Sequence, residues 1–593
     1  MFTRLLVVCS CGLGFFGSME TVLAQTAVRE VDAGSREVAA ERLVFNVRSF
    51  GALGDGVTLD TSAIQQAIDT CHAQKGGTVL VPAGRYLIGT LFLKSHVHLE
   101  LTSTAVLLGT SDLNCYASHI EPCGFVNAAH INKCLIYAED AEGISLSGGG
   151  AIDGQGGAFP AAAPDGQWGE RPMLMRFVRC RRVTLTGLLL RDAGAWCAHF
   201  LRCSDVRVQG VTIRNLAKFN NDGIDLMGTE NVTISDCLIT CEDDAICLQD
   251  MFDDAPVRNV VITNCVMSTR WSAIRTGGAH RGGIRDVTVS NCVIHDTFGC
   301  GIKLQISGNG TLENMAFSNI VMRNVSAPIS LRFGNHHYNN EQRDARHPWG
   351  GMKNILFDNI RASVCDEQAL RAGIAAHYPP ESAAQPHPGE ERQCISICGI
   401  PGHPVEGVTL SDIHITYPGG GTAEDAARRD LPELEDQYPE YFMFGVLPAY
   451  GIYARHARGL TLDNVHLELA GADRRPAVLC DDVEGVHVSS LLAAGGQAEN
   501  ALVCLRDTRD VCLQGVRPLS RVDSLLQLEG ATSGEVVMLN NDLHRCQQAV
   551  RYADGATPQA LLEAAPIGEA MSAGEERQTS QSPAAAPNVG AGR

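Results

Sequence analysis

Two short segments place carboxylates at the same point of a similar pattern. Residues 220–224 read Asn-Asn-Asp-Gly-Ile, and residues 242–246 read Glu-Asp-Asp-Ala-Ile, so the two isoleucines are 22 residues apart. If that interval is one turn of a coiled sheet, Asp222 and Asp244 lie on adjacent turns with Asp243 beside them. Crowding raises the pKa of one carboxyl by repulsion, which predicts a general acid next to a carboxylate that activates water. Hydrolysis of a glycosidic bond needs that pair.

A row of outward-facing side chains is predicted next to these carboxylates. Isoleucines recur at intervals of 22, 28, 28 and 27 residues, at Ile224, Ile246, Ile274, Ile302 and Ile329. The residues that follow them are Asp225, Cys247, Arg275, Lys303 and Ser330. Alternate residues of a strand face opposite sides. If the isoleucines face inward, the residues that follow them therefore form one row on the outside of the coil, and this row changes from a carboxylate at Asp225 to cations at Arg275 and Lys303. A cationic patch there would hold a negatively charged sugar, and its members are Arg270, Arg275, His280, Arg281, Arg285 and Lys303.

The same residues have two other interpretations. Aspartate at the turns of a β-helix often forms side-chain ladders, and Asp225 fits such a ladder. Aspartate before glycine, as at Asp222, is also a common turn former. Calcium also prefers carboxylate oxygens as ligands. The second carboxylate pair one turn later and Lys303 in the same register favour catalysis, and we expect no metal or other cofactor.

An internal repeat indicates the elements that must position these residues. Apolar residues at offsets 0, +2, +5 and +7 begin at Val183, Val206, Val232, Val260, Val287, Met315, Ile355, Val408, Leu460, Val486 and, less completely, Val511. Alternation at period two indicates strands with one buried face, and turns of about 25 residues are typical of a β-solenoid. We therefore predict an all-β parallel β-helix, in which Cys237, Cys265 and Cys292 share one interior column as reduced thiols.

Other segments are expected to cover or interrupt the coil. Residues 60–68 resemble a capped amphipathic helix that would shield the first turn. Irregular spacing marks loop-like insertions at residues 333–351, 365–404 and 418–451, each with a functional or a purely decorative interpretation.

Bulk properties limit the class of protein. The 593 residues carry a net charge of -20, which argues against general binding of nucleic acid. Residues 1–24 resemble a signal peptide, so we expect a secreted or periplasmic protein without a membrane partner. We expect this protein to be a monomer, with a single β-helix domain over residues 25–568. Cys9 and Cys11 leave a lipoprotein alternative. Residues 569–593 are expected to form a disordered tail.

Several motifs together resemble glycoside hydrolase family 28, the polygalacturonase family, in its bacterial branch. Besides the aspartate segments, they are residues 50–56 (Phe-Gly-Ala-Leu-Gly-Asp-Gly), residues 148–154 (Gly-Gly-Gly-Ala-Ile-Asp-Gly) and Arg171-Pro172. The resemblance implies a right-handed parallel β-helix that cleaves acidic plant cell-wall (pectic) polysaccharides or oligosaccharides with inversion. It also implies Asp243 as general acid, Asp222 and Asp244 as the groups that position and activate water, and Asn220 as a substrate contact.

Two departures from the family pattern bear on the substrate. The Gly-His-Gly motif falls at Trp271-Ser272-Ala273, and the Arg-Ile-Lys motif falls at Gly301-Ile302-Lys303. Arg275 could replace the missing arginine, and His280 the missing histidine. Homogalacturonan and rhamnogalacturonan therefore both stay open as substrates.

Further contacts are predicted along the same groove. Trp196 could stack on a sugar or lie at the edge of the core, and His199 is expected beside it. Arg332, His336 and His337 could close one end of the groove. A pectic lyase and a non-catalytic carbohydrate-binding β-helix are the alternative functions.

Overall fold

The computed structural model describes residues 43–122, 131–160, 169–252, 254–278, 282–336, 348–377, 385–496 and 500–562. The predicted signal peptide and tail lie outside these ranges. Thirty-six strands and three α-helices occur within them.

The strands before the aspartate segments are short. They are β1 (Val44–Asn46), β2 (Asp55–Leu59), β3 (Gly77–Val81), β4 (Gly84–Ile88), β5 (Leu91–Phe92), β6 (Val97–Leu101), β7 (Ala105–Gly109), β8 (Cys134–Glu139), β9 (Glu142–Gly148), β10 (Ala151–Asp153), β11 (Met173–Val178), β12 (Arg181–Thr186), β13 (Leu189–Arg191), β14 (Ala198–Leu201), β15 (Ser204–Gln209) and β16 (Thr212–Asn215). The strands around the aspartates are β17 (Ile224–Met227), β18 (Glu230–Ser235), β19 (Leu238–Cys241), β20 (Ile246–Asp250), β21 (Val257–Thr263), β22 (Val266–Thr269) and β23 (Ser272–Gly278).

Several of the following strands are longer, because they continue around the corners of a turn. The strands in this part are β24 (Ile284–Ser307), β25 (Thr311–Gly334), β26 (Gly351–Val364), β27 (Ile395–Cys398), β28 (Val405–Tyr417), β29 (Ile452–Leu469), β30 (Val478–Ala493), β31 (Ala501–Arg506), β32 (Arg509–Gln514), β33 (Arg517–Pro518), β34 (Val522–Glu529), β35 (Gly534–Leu539) and β36 (Cys546–Ala553).

Strand pairing is parallel and follows the predicted repeat. β10 pairs with β13, β11 with β14 and β12 with β15, so each turn of the coil contributes three strands. The predicted column is in register from Val183 through Val206, Val232, Val260, Val287, Met315, Ile355, Val408, Leu460, Val486 and Val511. The chain is thus an all-β parallel β-helix, as the periodicity predicts.

The interior of the coil holds the apolar columns. Ile224, Ile246, Ile274, Ile302 and Ile329 are fully buried. Cys237, Cys265 and Cys292 are buried in one column, and each thiol donates to the carbonyl two residues earlier, at 3.2–3.3 Å. The three cysteines therefore share the predicted interior column, and no cysteine in the described ranges forms a disulfide.

Helix α1 (Thr61–Ala73) contains the predicted helical segment and buries Ile64, Ala67, Ile68 and Cys71. The prediction of a loop-like insertion at 365–404 is wrong in part. Helix α2 (Glu367–His377) and strand β27 lie within it, and Ser396 pairs with Ser330 in the coil. The segment 418–451 contains α3 (Ala423–Ala427) and otherwise has irregular structure. None of the helices described is long and apolar enough to cross a membrane.

Candidate active site

The turn that presents Asp222 is held by buried amides. Asn221 donates to the carbonyl oxygens of Ala193 and Ala195 at 3.1 and 2.9 Å, and Asn215 donates to that of Asp222 at 2.9 Å. Glycine is needed at position 223, because a Cβ there would lie 2.4 Å from the carbonyl oxygen of Ala245 on the next turn. The close approach of two turns therefore brings Asp222 next to the following aspartates.

The three predicted catalytic carboxylates form one cluster. Asp222, Asp243 and Asp244 each contribute an oxygen that lies within 4.8 Å of the other two. Asp244 Oδ1 accepts from the backbone N–H of Ser272 at 3.1 Å, and Asp243 Oδ1 accepts from that of Asp244 at 2.9 Å. Asp222 and Asp244 are buried, whereas Asp243 is partly exposed. Asp243 is therefore the member of the cluster that presents itself to solvent.

Burial and mutual repulsion retain protons in this cluster. Burial, reinforced by the charge of Asp244, raises the pKa of Asp243 to about 7, although Arg275 and Lys303 oppose the shift. Burial and then the charge of Asp243 raise the pKa of Asp222 well above its usual range. A carboxylic acid that keeps its proton near neutral pH is what general acid catalysis requires.

The predicted cations follow the carboxylates in the same outer row. Asp225 pairs with Cys247, Cys247 with Arg275, and Arg275 with Lys303, on successive turns. Arg275 Nε lies 3.3 Å from Asp244 Oδ2. This confirms the predicted change from carboxylate to cation, and Arg275 occupies the position that the sequence offered as a replacement for the family arginine.

Part of the third insertion covers the cationic end of this row, and we call residues 428–442 the strap. Its contacts with four turns of the coil include Arg429–Glu529 at 2.6 Å, Arg506 to the carbonyl of Arg429 at 2.8 Å, Arg455 to the carbonyl of Leu431 at 2.9 Å, and Arg332 to the carbonyl of Glu433 at 2.7 Å. Near the carboxylates, Glu440 Oε2 lies 2.9 Å from Lys303 Nζ and the hydroxyl of Tyr438 accepts from Arg275. The strap thus runs along the row and ends beside the carboxylate cluster.

Aromatic side chains from two insertions meet at the strap. Phe442 stacks on His387 with ring centroids 3.9 Å apart, and Trp271 lies 6.3 Å from Phe442. Beneath them, Arg270 forms a buried ion pair with Glu390 at 2.9 Å, and Tyr441 donates to Glu390. The buried ion pair joins the second insertion to the coil, and Tyr441 joins the strap to the same carboxylate.

Glu440, Tyr438, Tyr441 and His387 were missed by the sequence reasoning. His387 is the histidine that the structure places near the position of the absent family histidine, with its ring 5.7 Å from Trp271. Burial lowers the pKa of His387. No local spacing could have identified these residues, because their partners are more than 50 positions away in the chain.

Asn220 lies at the cluster, as expected. Its amide donates to Asp243 Oδ2 at 3.5 Å, and its carbonyl oxygen accepts from Arg171 at 3.1 Å. Arg171 is fully buried, and its burial lowers its pKa to about 10 even though Glu242 and Asp222 oppose that shift. Arg171 thus holds the turn from behind, a role that the Arg-Pro motif did not by itself reveal.

Trp196 and His199 lie before the cluster and form part of the packing. Their rings meet edge to face with centroids 5.1 Å apart, and Trp196 packs in an apolar cluster with Tyr137 and Met227. For Trp196, this packing corresponds to the core-edge alternative. His199 is fully buried, so the prediction that it contacts substrate is wrong for this structure: no part of its ring reaches solvent.

The prediction that Arg332 lines one end of the groove is also wrong. It donates to the carbonyls of Gly399 and Glu433 at 2.6 and 2.7 Å and is buried. It therefore holds the strap rather than a sugar, and His336 contacts the carbonyl of Asp436 on the same strap. His280, Arg281 and His337 lie outside the described residues.

Within the part of the chain that the structure describes, two groups have side chains suited to a metal ion. The carboxylates of Asp222, Asp243 and Asp244 are one, and a calcium ion would need several further oxygen ligands there. The second is His414, His466 and Glu468 on a different face of the coil, with ligand atoms within 4.8 Å of one another. Imidazole and carboxylate suit zinc.

Comparison with known proteins gives consistent matches. The model of glycosyl hydrolases family 28 matches residues 71–382. A probable polygalacturonase of Vitis vinifera is 30% identical over 387 residues, which are 62% of this chain and 73% of that protein. An exo-poly-alpha-D-galacturonosidase of Dickeya chrysanthemi is 27% identical over 372 residues, 53% of this chain and 61% of that protein. The solved family 28 exopolygalacturonase of Yersinia enterocolitica has the same fold, with a TM-score of 0.55, 20% identity, and coverage of 76% of this chain and 79% of that one.

Proposed function

The chain belongs to glycosyl hydrolase family 28, and on that premise we propose that it is an exported enzyme that cleaves α-linked galacturonic-acid-containing polysaccharides or oligosaccharides with inversion. It is a glycosidase. The observation that carries the proposal is the cluster of three carboxylates in which Asp243 has a pKa of about 7.

We assign Asp243 as the general acid, and Asp222 and Asp244 as the carboxylates that position and activate the attacking water. Asp243 is the partly exposed member, and its raised pKa keeps a proton available for the leaving oxygen. Asp244 is fixed by the backbone N–H of Ser272 and by Arg275. Held in this position, Asp244 would orient the water together with Asp222.

The inverting course rests on the family resemblance. The nearest oxygens of the cluster lie within 4.8 Å, whereas inverting enzymes commonly separate their two carboxyl groups by about 6.5–9.5 Å. Proton NMR of the first product formed tests this point. An anomer opposite to that of the substrate supports inversion, and the same anomer would contradict it.

Product analysis on polygalacturonate and rhamnogalacturonan tests the reaction. We expect new reducing ends without an unsaturated product that absorbs in the ultraviolet. Growth of that absorbance would instead indicate a lyase. Binding without turnover that is unchanged by Asp243→Asn would indicate a non-catalytic carbohydrate-binding protein.

The remaining parts of the proposal concern export and assembly. We propose cleavage of a signal peptide after residue 24, a right-handed monomeric coil, and a covering role for α1 at the first turn. The burial of Ile64 and Ile68 in α1 supports that covering role. N-terminal sequencing of protein recovered outside the cytoplasm tests the cleavage. The mass of the protein in solution tests the monomeric state.

A further inference from the structure

The strap supplies a counterion to the cationic end of the row. Lys303 is 3% exposed, and its ammonium is 2.9 Å from Glu440. Burial disfavours the charged ammonium, but Glu440 and Asp244 outweigh it and raise the pKa of Lys303 above its usual value. Lys303 is therefore a charged group whose counterion comes from the chain itself.

Arg275 is engaged in the same way. Its guanidinium contacts Asp244 at 3.3 Å, Cys247 Sγ at 3.0 Å and the hydroxyl of Tyr438 on the strap. A uronate carboxylate that approached this end would meet the carboxylates of Glu440 and Asp244 before it met an unshared cation. Like charges at a binding site select against a charged ligand.

The surface next to Lys303 is aromatic. Lys303 Nζ lies 6.0 Å from the centre of the Trp271 ring, and Phe442 and His387 continue the same wall. Aromatic faces pack well against the C–H groups of an uncharged sugar and against a methyl group. The site therefore offers apolar contact where a uronate would need a free cation.

We propose that the sugar beside Lys303 and Trp271 is uncharged, so that the bond cleaved joins galacturonate to a neutral sugar rather than to a second galacturonate. This rests on the proposed function and names the substrate class of the same site. Glu440 is then the residue that determines specificity, because it supplies the carboxylate that a uronate would otherwise bring.

The test compares two oligosaccharides of equal length, one of galacturonate alone and one that alternates galacturonate with rhamnose. We expect wild-type kcat/KM to favour the alternating oligosaccharide by at least about tenfold. Glu440→Gln should raise kcat/KM on oligogalacturonate by about tenfold or more and change the other value less than about threefold. Glu435→Gln is the control, since Glu435 is an exposed carboxylate of the same strap.

Binding separates this inference from the proposed reaction. Calorimetric titration of both oligosaccharides into Asp243→Asn, with and without Glu440→Gln, measures specificity without turnover. Tighter binding of oligogalacturonate only in the Glu440→Gln protein supports the inference. A wild-type preference for oligogalacturonate, or a ratio of affinities that Glu440→Gln leaves unchanged, would overturn it. Absence of hydrolysis alone would count against the proposed function.

Discussion

The two ends of one outer row of this β-helix treat charge in opposite ways. At the first end, Asp222, Asp243 and Asp244 crowd together, and repulsion adds to burial in raising the pKa of Asp222 and Asp243. At the second end, Lys303 is neutralised by Glu440 of the strap, at 2.9 Å.

Carboxylates of like charge are crowded at the first end, whereas at the second end the ammonium of Lys303 has a counterion. Buried carboxylates that repel one another lower the stability of the folded protein, so their presence indicates a functional site. The paired cations have their counterions built in, so they stabilise the strap and limit which substrate can bind. Reactivity and specificity are therefore assigned to neighbouring but separate parts of the row.

The largest effect is expected at the carboxylate end. Asp243→Asn removes the proposed acid and should lower kcat by about 10³-fold or more on the preferred substrate, as measured by release of reducing ends. Asp236→Asn, at an exposed turn aspartate of the same coil, should leave kcat unchanged. A loss of less than about tenfold for Asp243→Asn would contradict the assignment.

The next effect concerns the attachment of the strap. Glu390→Gln removes the carboxylate that binds Arg270 and Tyr441 in a fully buried site, and breaking a buried pair costs about 3–5 kcal/mol. We expect faster proteolysis within residues 428–442. Glu367→Gln breaks the exposed pair with Arg371 and should cost no more than about 1 kcal/mol. Equal protease resistance of the two variants would show that the buried pair does not hold the strap.

Arg275 connects the two ends of the row, because its charge affects the pKa of Asp243. The dependence of kcat/KM on pH measures this effect. Because the acid must be protonated, kcat/KM should fall as pH rises through about 7, the pKa of Asp243. Arg275 lowers that pKa, so Arg275→Gln should move the alkaline limb to higher pH. A limb that stays in place or moves lower would exclude the coupling.

The smallest effect is on stability. A carboxyl whose folded pKa is raised contributes stability below its unfolded pKa of about 4, and that contribution is lost as pH rises through the folded value. The pKa of Asp222 is raised, so Asp222→Asn should increase Tm by about 1–3 °C at pH 8 and leave it nearly unchanged at pH 4.

The control for that measurement has the opposite sign. Hydrogen bonds from Ser235 and Asn264 lower the pKa of Asp236, so its contribution is present above pH 4 and is lost as pH falls. Asp236→Asn should therefore not raise Tm at pH 8. An equal rise in both variants would mean that the effect does not come from the crowded cluster.

The sequence by itself determined the coil and the row. The column from Val183 to Val511 and the succession from Asp225 to Lys303 both follow from periodic spacing, because stacked turns place residues of equal offset side by side. The same register brought Asp222, Asp243 and Asp244 together without any structural information.

Only the tertiary structure decided what faces that row. The strap, the strand Ile395–Cys398 and the pair of Lys303 with Glu440 come from insertions that have no repeat, and the two paired residues are 137 positions apart. Such contacts depend on how an irregular segment packs on a finished surface, which local spacing does not encode. For that reason the sequence predicted the reaction but left two substrates open, and only the packing of the strap on Lys303 gives a physical basis for choosing between them.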